Sequence, residues 1–311
     1  MKCLIIDHMH PAVVELLKAE NIEVDYHPDI SWDDVKNIIH DYEGLVVRSK
    51  LKVDQPIIDS GTKLKFVARA GAGTDNIDTQ LLEEKDIKII NAPEGNRNAL
   101  AEHTMGMLLS LLHNITKSNE EIKKGAWHRE ANRGTELAGK TVGLLGYGFM
   151  GQAFAKKLKA FDCRVIAYDK YKNGFSDEYC KEVSMQTIFD ESDIFSIHVP
   201  LTEETKNLVN FDFIKSFNKK IYLLNTSRGD VLSMKTCRQV LEHDIVFGIG
   251  LDVLENENLN KLSDEQRDLF DYLRDSDRVV ITPHVAGWST ESYEQISRVL
   301  ANKIIDFLAS N

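Results

Sequence analysis

The chain has 311 residues, 42% of them hydrophobic, which is enough to bury a sizeable core and to divide into two domains. Its formal charge of −11 argues against a nucleic-acid partner, because affinity for a phosphate backbone rests on Lys and Arg, but it leaves room for a small anionic substrate. No apolar run approaches the roughly 18 residues of a membrane span, and "MKCLIIDHMHP" is broken too early for a signal peptide. Four scattered cysteines, Cys3, Cys163, Cys180 and Cys237, suit reduced thiols in a cytoplasm.

From the N-terminus, "CLIID" (3–7), "GLVVRS" (44–49), "KFVARAG" (65–71) and "KIINAP" (88–93) read as strands rich in Val, Ile and Leu. Between them, "HPAVVELLKAEN", "SWDDVKNIIHDY" and "DTQLLEEKD" read as helices with polar outer faces. This alternation implies βαβ units around a parallel sheet covered on both sides. Asp7, His8 and His10 in "DHMH" have only short i,i+2 spacing, so a strand-end loop is favoured there and no metal is expected. The stretch 98–127 predicts one long helix, apolar in its first half and charged in its second.

A second alternating series follows: "KTVGLLGYG", "CRVIAYD", "DIFSIHV", "IYLLNTS", "VFGIGLDV" and "VVITPH", six strands that suit a doubly wound dinucleotide fold. The first of them runs into Gly146-x-Gly148-x-x-Gly151, which opens a helix. In that motif the first glycine permits the tight turn, the second lets backbone approach a pyrophosphate, and the third allows close helix packing. Asp169 ends the next strand, 23 positions after Gly146. An acid there hydrogen-bonds a ribose 2′-hydroxyl and repels a 2′-phosphate, which favours NAD over NADP.

Three later strand ends deliver charged groups: Arg228 in "NTSRGDVL", Asp252, Glu255 and Glu257 in "GLDVLENEN", and His284 in "TPHVAG". In a doubly wound sheet such ends line the ligand crevice. An arginine can hold a carboxylate and polarise a carbonyl, a histidine can move a proton, and a carboxylate such as Glu257 beside it would fix the imidazole. Alone, such an arginine is more often a surface salt-bridge residue and such a histidine more often a loop residue; together, behind a cofactor motif, they predict a proton-and-hydride site. Ser263 and Gln266 have capping-box spacing inside the surface excursion that follows. The last helix carries Tyr293, Ile296, Leu300, Ile304 and Phe307 on one side, for which the first domain is the natural partner.

These segments resemble the D-isomer-specific 2-hydroxyacid dehydrogenases over essentially the whole chain, through "GLLGYGFMG" with Asp169, "HVPLTEETKNL", "LLNTSRGDVL", "GIGLDVLENE" and "ITPHVAGWS". The resemblance implies two doubly wound parallel-sheet domains: a flavodoxin-like substrate domain at 1–96 plus 287–311, and a Rossmann NAD-binding domain at 97–286. It implies Arg228, Glu257 and His284 as catalytic, with Glu257 rather than Glu255 because the family's acid lies five positions after the aspartate matched by Asp252. It further implies cofactor contacts at Gly146, Gly148, the Phe149–Met150 backbone, Gly151, Asp169, His198, Pro200, Thr205, Thr226 and Asp252. A homodimer built around the NAD-binding domains is implied as well, and the setting expected from the cysteines is the cytoplasm.

The loops around Arg48, Ser49, Gly73, Asn96 and Arg129 are similar to substrate-binding segments of the family's phosphoglycerate dehydrogenase subgroup. Oxidation of D-3-phosphoglycerate, a step of serine biosynthesis, is therefore the expected reaction. A hydroxypyruvate or glyoxylate reductase is the alternative, and a non-catalytic NAD-sensing corepressor a remote one. Two departures stand out: Asn258 replaces the family's usual proline, and "VLSMKTC" lacks its common acid. The chain ends soon after the last helix, so no C-terminal serine-sensing domain is expected.

Overall fold

The computed structural model describes residues 1–310, which form two compact α/β units: Met1–Arg97 together with the C-terminal segment from Trp288, and Asn98–Gly287. In the first unit the order is β1 (Lys2–Ile5), α1 (Ala12–Ala19), β2 (Glu23–Tyr26), α2 (Trp32–Ile38), β3 (Gly44–Val47), α3 (Gln55–Ser60), β4 (Phe66–Arg69), α4 (Thr79–Glu84) and β5 (Lys88–Asn91). The strands form an all-parallel sheet in the order β2-β1-β3-β4-β5, the flavodoxin-like arrangement. Alternate residues serve opposite faces, as the two-residue period of a strand requires. Cys3, Ile5, Val46, Phe66 and Ala68 pack on Val13 and Leu17 of α1, while Leu4, Leu45, Val47 and Val67 pack on Val35 of α2, Ile57 and Ile58 of α3 and Leu82 of α4.

The C-terminal helix, Thr290–Ala309, completes the α1 face, with Ile296, Leu300 and Ile304 fully covered and Tyr293 and Phe307 partly so. Burying each aliphatic side chain contributes about 2 kcal/mol. The helix starts at a capping box made by Ser289 and Ser292. Trp288, just before the cap, packs edge-on against Tyr293 one turn later, the arrangement of a hydrophobic staple.

The second unit contains α5 (Arg97–Leu112, entering from the preceding segment), α6 (Ile115–Lys123), β6 (Thr141–Leu145), α7 (Phe149–Leu158), β7 (Arg164–Tyr168), β8 (Lys181–Glu182), α8 (Met185–Glu191), β9 (Ile194–Ile197), α9 (Phe211–Lys215), β10 (Ile221–Asn225), α10 (Met234–Glu242), β11 (Val246–Leu251), α11 (Asp264–Arg274) and β12 (Val279–Ile281); the C-terminal helix is thus α12. Its seven parallel strands lie in the order β12-β11-β10-β9-β6-β7-β8. From β8 to β11 this is the Rossmann order 3-2-1-4-5-6, with β12 as a seventh strand. The third strand is thus the two-residue β8, absent from the six expected, while β12 extends the sheet beyond the Rossmann set.

The single long helix expected over 98–127 is instead two. Asn114 adopts a left-handed conformation (φ 54°), which asparagine tolerates better than most residues, and Thr135 N–H takes the terminal carbonyl of Leu112. Burial follows the expected gradient: nine residues of α5 are buried and none of α6. The capping box at Ser263 and Gln266 forms and opens α11. No helix among the described residues is long and apolar enough to cross a membrane.

Candidate active site

Gly146 takes φ +92°, and a Cβ there would fall 2.7 Å from the His198 carbonyl oxygen; at Gly151 it would fall 2.4 Å from the Gly146 oxygen. A side chain at either position would pry the turn from β9 or α7 from the turn. At Gly148, by contrast, a Cβ would meet no protein atom within 4 Å. No side chain caps α7, so the amides of its first turn, at Phe149 and Met150, face outward with the helix's partial positive charge. This cradle fits a pyrophosphate. Asp169, after β7, accepts the amides of Tyr147 (2.9 Å) and Tyr171 (3.0 Å), which ties the glycine turn to the strand end that would hold the ribose. Tyr147, an unremarked residue of the motif, is buried beneath the turn with its hydroxyl on Asp177.

Arg228, Glu257 and His284 follow the adjacent strands β10, β11 and β12. Asn225 shapes the first of these ends: its side-chain oxygen accepts the Ser227 amide and its nitrogen donates to the Arg228 carbonyl. Gly229 lets this turn press on the next strand's loop, since a Cβ would sit 2.0 Å from the carbonyl carbon of Leu254. In that loop the two glutamates separate. Glu255 accepts the Met234 amide at the start of α10, supplying an acid where "VLSMKTC" has none, and burial raises its pKa. Glu257 lies against His284, with Nδ1 at 2.8 and 3.0 Å from its two carboxylate oxygens. The Nδ1–H therefore donates to the carboxylate, which leaves Nε2 as the second ring nitrogen, not engaged by Glu257. Asn258 caps a short turn by accepting the Asn260 amide.

His284 has φ +54°, a left-handed conformation that costs a non-glycine residue about 1 kcal/mol or more. Asp252 holds it there. The Asp252 carbonyl accepts the His284 amide (2.8 Å), and its carboxylate accepts the amides of Val285 (2.9 Å) and Ala286 (2.8 Å) and the Thr282 hydroxyl (2.6 Å). His103, from α5, lies 3.0 Å from the Thr282 oxygen and 3.6 Å from Asp252. Because the Thr282 proton goes to Asp252, the His103 Nε2–H donates to Thr282. Asp252 is 1% exposed. Its carboxylate is the anchor of the histidine turn, beyond the nicotinamide contact that sequence resemblance implied.

His198 directly follows β9, partly covered beside Phe154 and paired with Ser196, and desolvation lowers its pKa to about 4. The Thr205 hydroxyl donates to the Pro200 carbonyl (2.6 Å) and pins the following loop, while Thr226 is buried against Thr104. Arg129 is exposed ahead of a short turn.

In the first unit, Arg48 and Ser49 follow β3, Gly73 lies in the loop after β4, and Asn96 follows β5 with a buried side-chain oxygen that has no hydrogen-bond partner among the described residues. Asp7 is 6% exposed and accepts the amides of Arg48 (2.6 Å) and Lys50 (3.2 Å). The members of "DHMH" diverge: His8 pairs with Asp29, and His10 accepts the Ala12 amide. Arg69, the last residue of β4, pairs in register with Val47 and so brings a second arginine to the strand ends beside Arg48. Sequence reasoning passed over Arg69, His103 and Thr282. "ARAG" at a strand end was a usable signal for the first; a mid-helix histidine offered none.

A dinucleotide-binding sheet whose strand ends carry an arginine and a glutamate-held histidine defines a nicotinamide-linked dehydrogenase. Residues 105–286 match the family described as D-isomer specific 2-hydroxyacid dehydrogenase, NAD binding domain. A hydroxypyruvate reductase from Thermotoga maritima is 37% identical over 289 residues, 93% of this chain and 92% of that protein. A D-3-phosphoglycerate dehydrogenase from Synechocystis is 31% identical over 99% of this chain, which spans only 54% of that protein's length. The crystal structure of a D-lactate dehydrogenase from Treponema pallidum superposes with a TM-score of 0.83 at 26% identity, covering 100% of this chain and 98% of that one. The chain belongs to the D-isomer specific 2-hydroxyacid dehydrogenases, and its cofactor is NAD.

Proposed function

We propose that this dehydrogenase interconverts D-3-phosphoglycerate and its 2-keto acid. The nicotinamide, when bound, would supply the hydride acceptor for oxidation at C2 and the donor for reduction. The observation that carries the reading is the pairing of His284 Nδ1 with Glu257, which leaves Nε2 to take the C2 hydroxyl proton during oxidation and to give it back during reduction. Glu257 orients the imidazole and stabilises it when it becomes cationic. The fork of Arg228 holds the substrate carboxylate and polarises the C2 oxygen. Gly146, Gly148, Phe149, Met150, Gly151 and Asp169 hold the cofactor, with His198, Pro200, Thr205, Thr226 and Asp252 as further cofactor residues. Arg48, Ser49, Gly73, Asn96 and Arg129 serve the substrate. A second anionic group is supported by Arg48, whose guanidinium has no hydrogen-bond acceptor among the described residues of its own unit.

A second reading, reduction of hydroxypyruvate or glyoxylate, is favoured by the likeness to the Thermotoga protein over nine-tenths of both chains. NADH oxidation measured with phosphohydroxypyruvate, hydroxypyruvate, glyoxylate and pyruvate separates the two. The phosphorylated acid should give the highest kcat/KM, and a clear preference for hydroxypyruvate or glyoxylate would reverse the assignment.

The large exposed apolar residues Ile115, Ile122, Trp127 (81% exposed) and Phe247 of the second unit support a homodimer formed through NAD-binding units, which light scattering on the purified protein tests directly. Four unpaired cysteines support a cytoplasmic setting.

A further inference from the structure

We propose that Trp288 is a positioning residue for Arg48, and that through it the chain strengthens its hold on a second anionic group of a bound acid. This rests on the hydroxyacid reading above and adds a residue to it.

The backbone of Arg48 is fixed from several sides. Its amide and that of Lys50 donate to buried Asp7, the Asn76 side chain donates to the Leu51 carbonyl (2.9 Å), and the Lys50 ammonium bridges the carbonyls of Pro28 and Ile30. The side chain is half-buried, and its guanidinium carbon stands 3.9 Å from the centroid of the Trp288 ring. An arginine stacked this way satisfies one face through cation–π attraction and keeps its in-plane N–H fork for a carboxylate or phosphate. Partial desolvation of the guanidinium strengthens its hold on an anion relative to a fully hydrated lysine or arginine.

Trp288 is in turn held in place. Tyr293 meets it edge-on at 5.1 Å and 71°, and His10 meets Tyr293 at 5.8 Å and 85°. The stack thus runs from a helix start to a loop after β1, and Arg48 rests on its end. Trp288 also serves as the apolar staple of α12, a role that leucine fills equally well. A flat ring beneath a guanidinium is the additional requirement, and it separates the two roles experimentally.

The test uses the full chain with NADH and the variants Trp288→Leu and Trp288→Phe. The probe is 2-phosphoglycolate, a non-reducible acid with a carboxylate and a phosphate, titrated calorimetrically. Its Kd should rise about tenfold in Trp288→Leu and less than threefold in Trp288→Phe, which keeps a ring. The ratio of kcat/KM for phosphohydroxypyruvate to that for glyoxylate should fall about tenfold in Trp288→Leu. The proposal is overturned if the wild type does not bind 2-phosphoglycolate, if Trp288→Leu binds it as the wild type does, or if both keto acids weaken in parallel with a lowered Tm, the signature of a staple alone. Failure of the substrate reading looks different: 2-phosphoglycolate binding still depends on Trp288, yet wild-type turnover favours hydroxypyruvate.

Discussion

Each unit uses a strand-end aspartate to fasten the loop of a neighbouring strand, and the two differ in what they fasten. After β1, Asp7 accepts two backbone amides of the loop after β3; after β11, Asp252 accepts two of the turn after β12. Asp252 also takes the Thr282 hydroxyl, itself backed by His103, and it secures a histidine in a left-handed conformation. Asp7 holds backbone only, and the side chain it presents, Arg48, rests on an aromatic face instead. The histidine turn is over-determined by buried hydrogen bonds, whereas the loop that carries Arg48 is fixed in its backbone and rests its side chain on an aromatic ring. Asp169 is the intermediate case, accepting two amides while remaining partly exposed.

The largest effect that sharpens this contrast is on turnover. His284→Ala should lower kcat by about a thousandfold while NADH affinity stays within twofold, because general acid–base catalysis contributes on that scale. Near-normal turnover would remove the proton-transfer role. Asp252→Ala should cost about 3 kcal/mol in urea unfolding, by leaving two amides and a hydroxyl without their acceptor, and should depress kcat as well. Asp7→Ala should cost less, about 1 to 2 kcal/mol, and act chiefly on substrate KM; equal losses from the two aspartates would erase the distinction drawn between them. Asp169→Ala should narrow the preference for NADH over NADPH by about tenfold, read as a ratio of kcat/KM values.

The smallest effect concerns pH. His198 is held neutral in the fold with a pKa near 4, below its ordinary value of 6.5. The unfolded chain therefore binds an extra proton between those values, and stability falls as pH drops from about 6.5 to about 4 and levels off below. His198→Gln should flatten that part of the stability–pH curve, a difference on the order of 2 kcal/mol.

Much of this arrangement was legible in the chain. The glycine spacing and Asp169 announced the cofactor unit because tight turns and close approaches leave few choices of residue. The strand-end charges were visible because they interrupt apolar runs. What escaped notice has physical reasons. The edge strand β8 is two charged-side-chain residues, Lys181 and Glu182, with no apolar run to mark it. The break at Asn114 lacks Gly or Pro and depends on Thr135, distant in sequence, to take a carbonyl. The support from His103 and Thr282 comes from packing of α5 beside β12, which periodicity does not encode. Trp288 carries no local mark of its role because the two side chains it meets, Tyr293 and Arg48, lie one helical turn and 240 residues away.

The left-handed backbone of His284 also narrows the routes by which this chain could lose activity and persist. Glycine, asparagine and aspartate adopt that conformation at low cost, and β-branched residues adopt it worst. A lineage drifting from catalyst to cofactor-binding scaffold would therefore pass through one of those three replacements, with the turn intact and the imidazole gone. Valine or isoleucine at the same position would disturb the turn together with the chemistry.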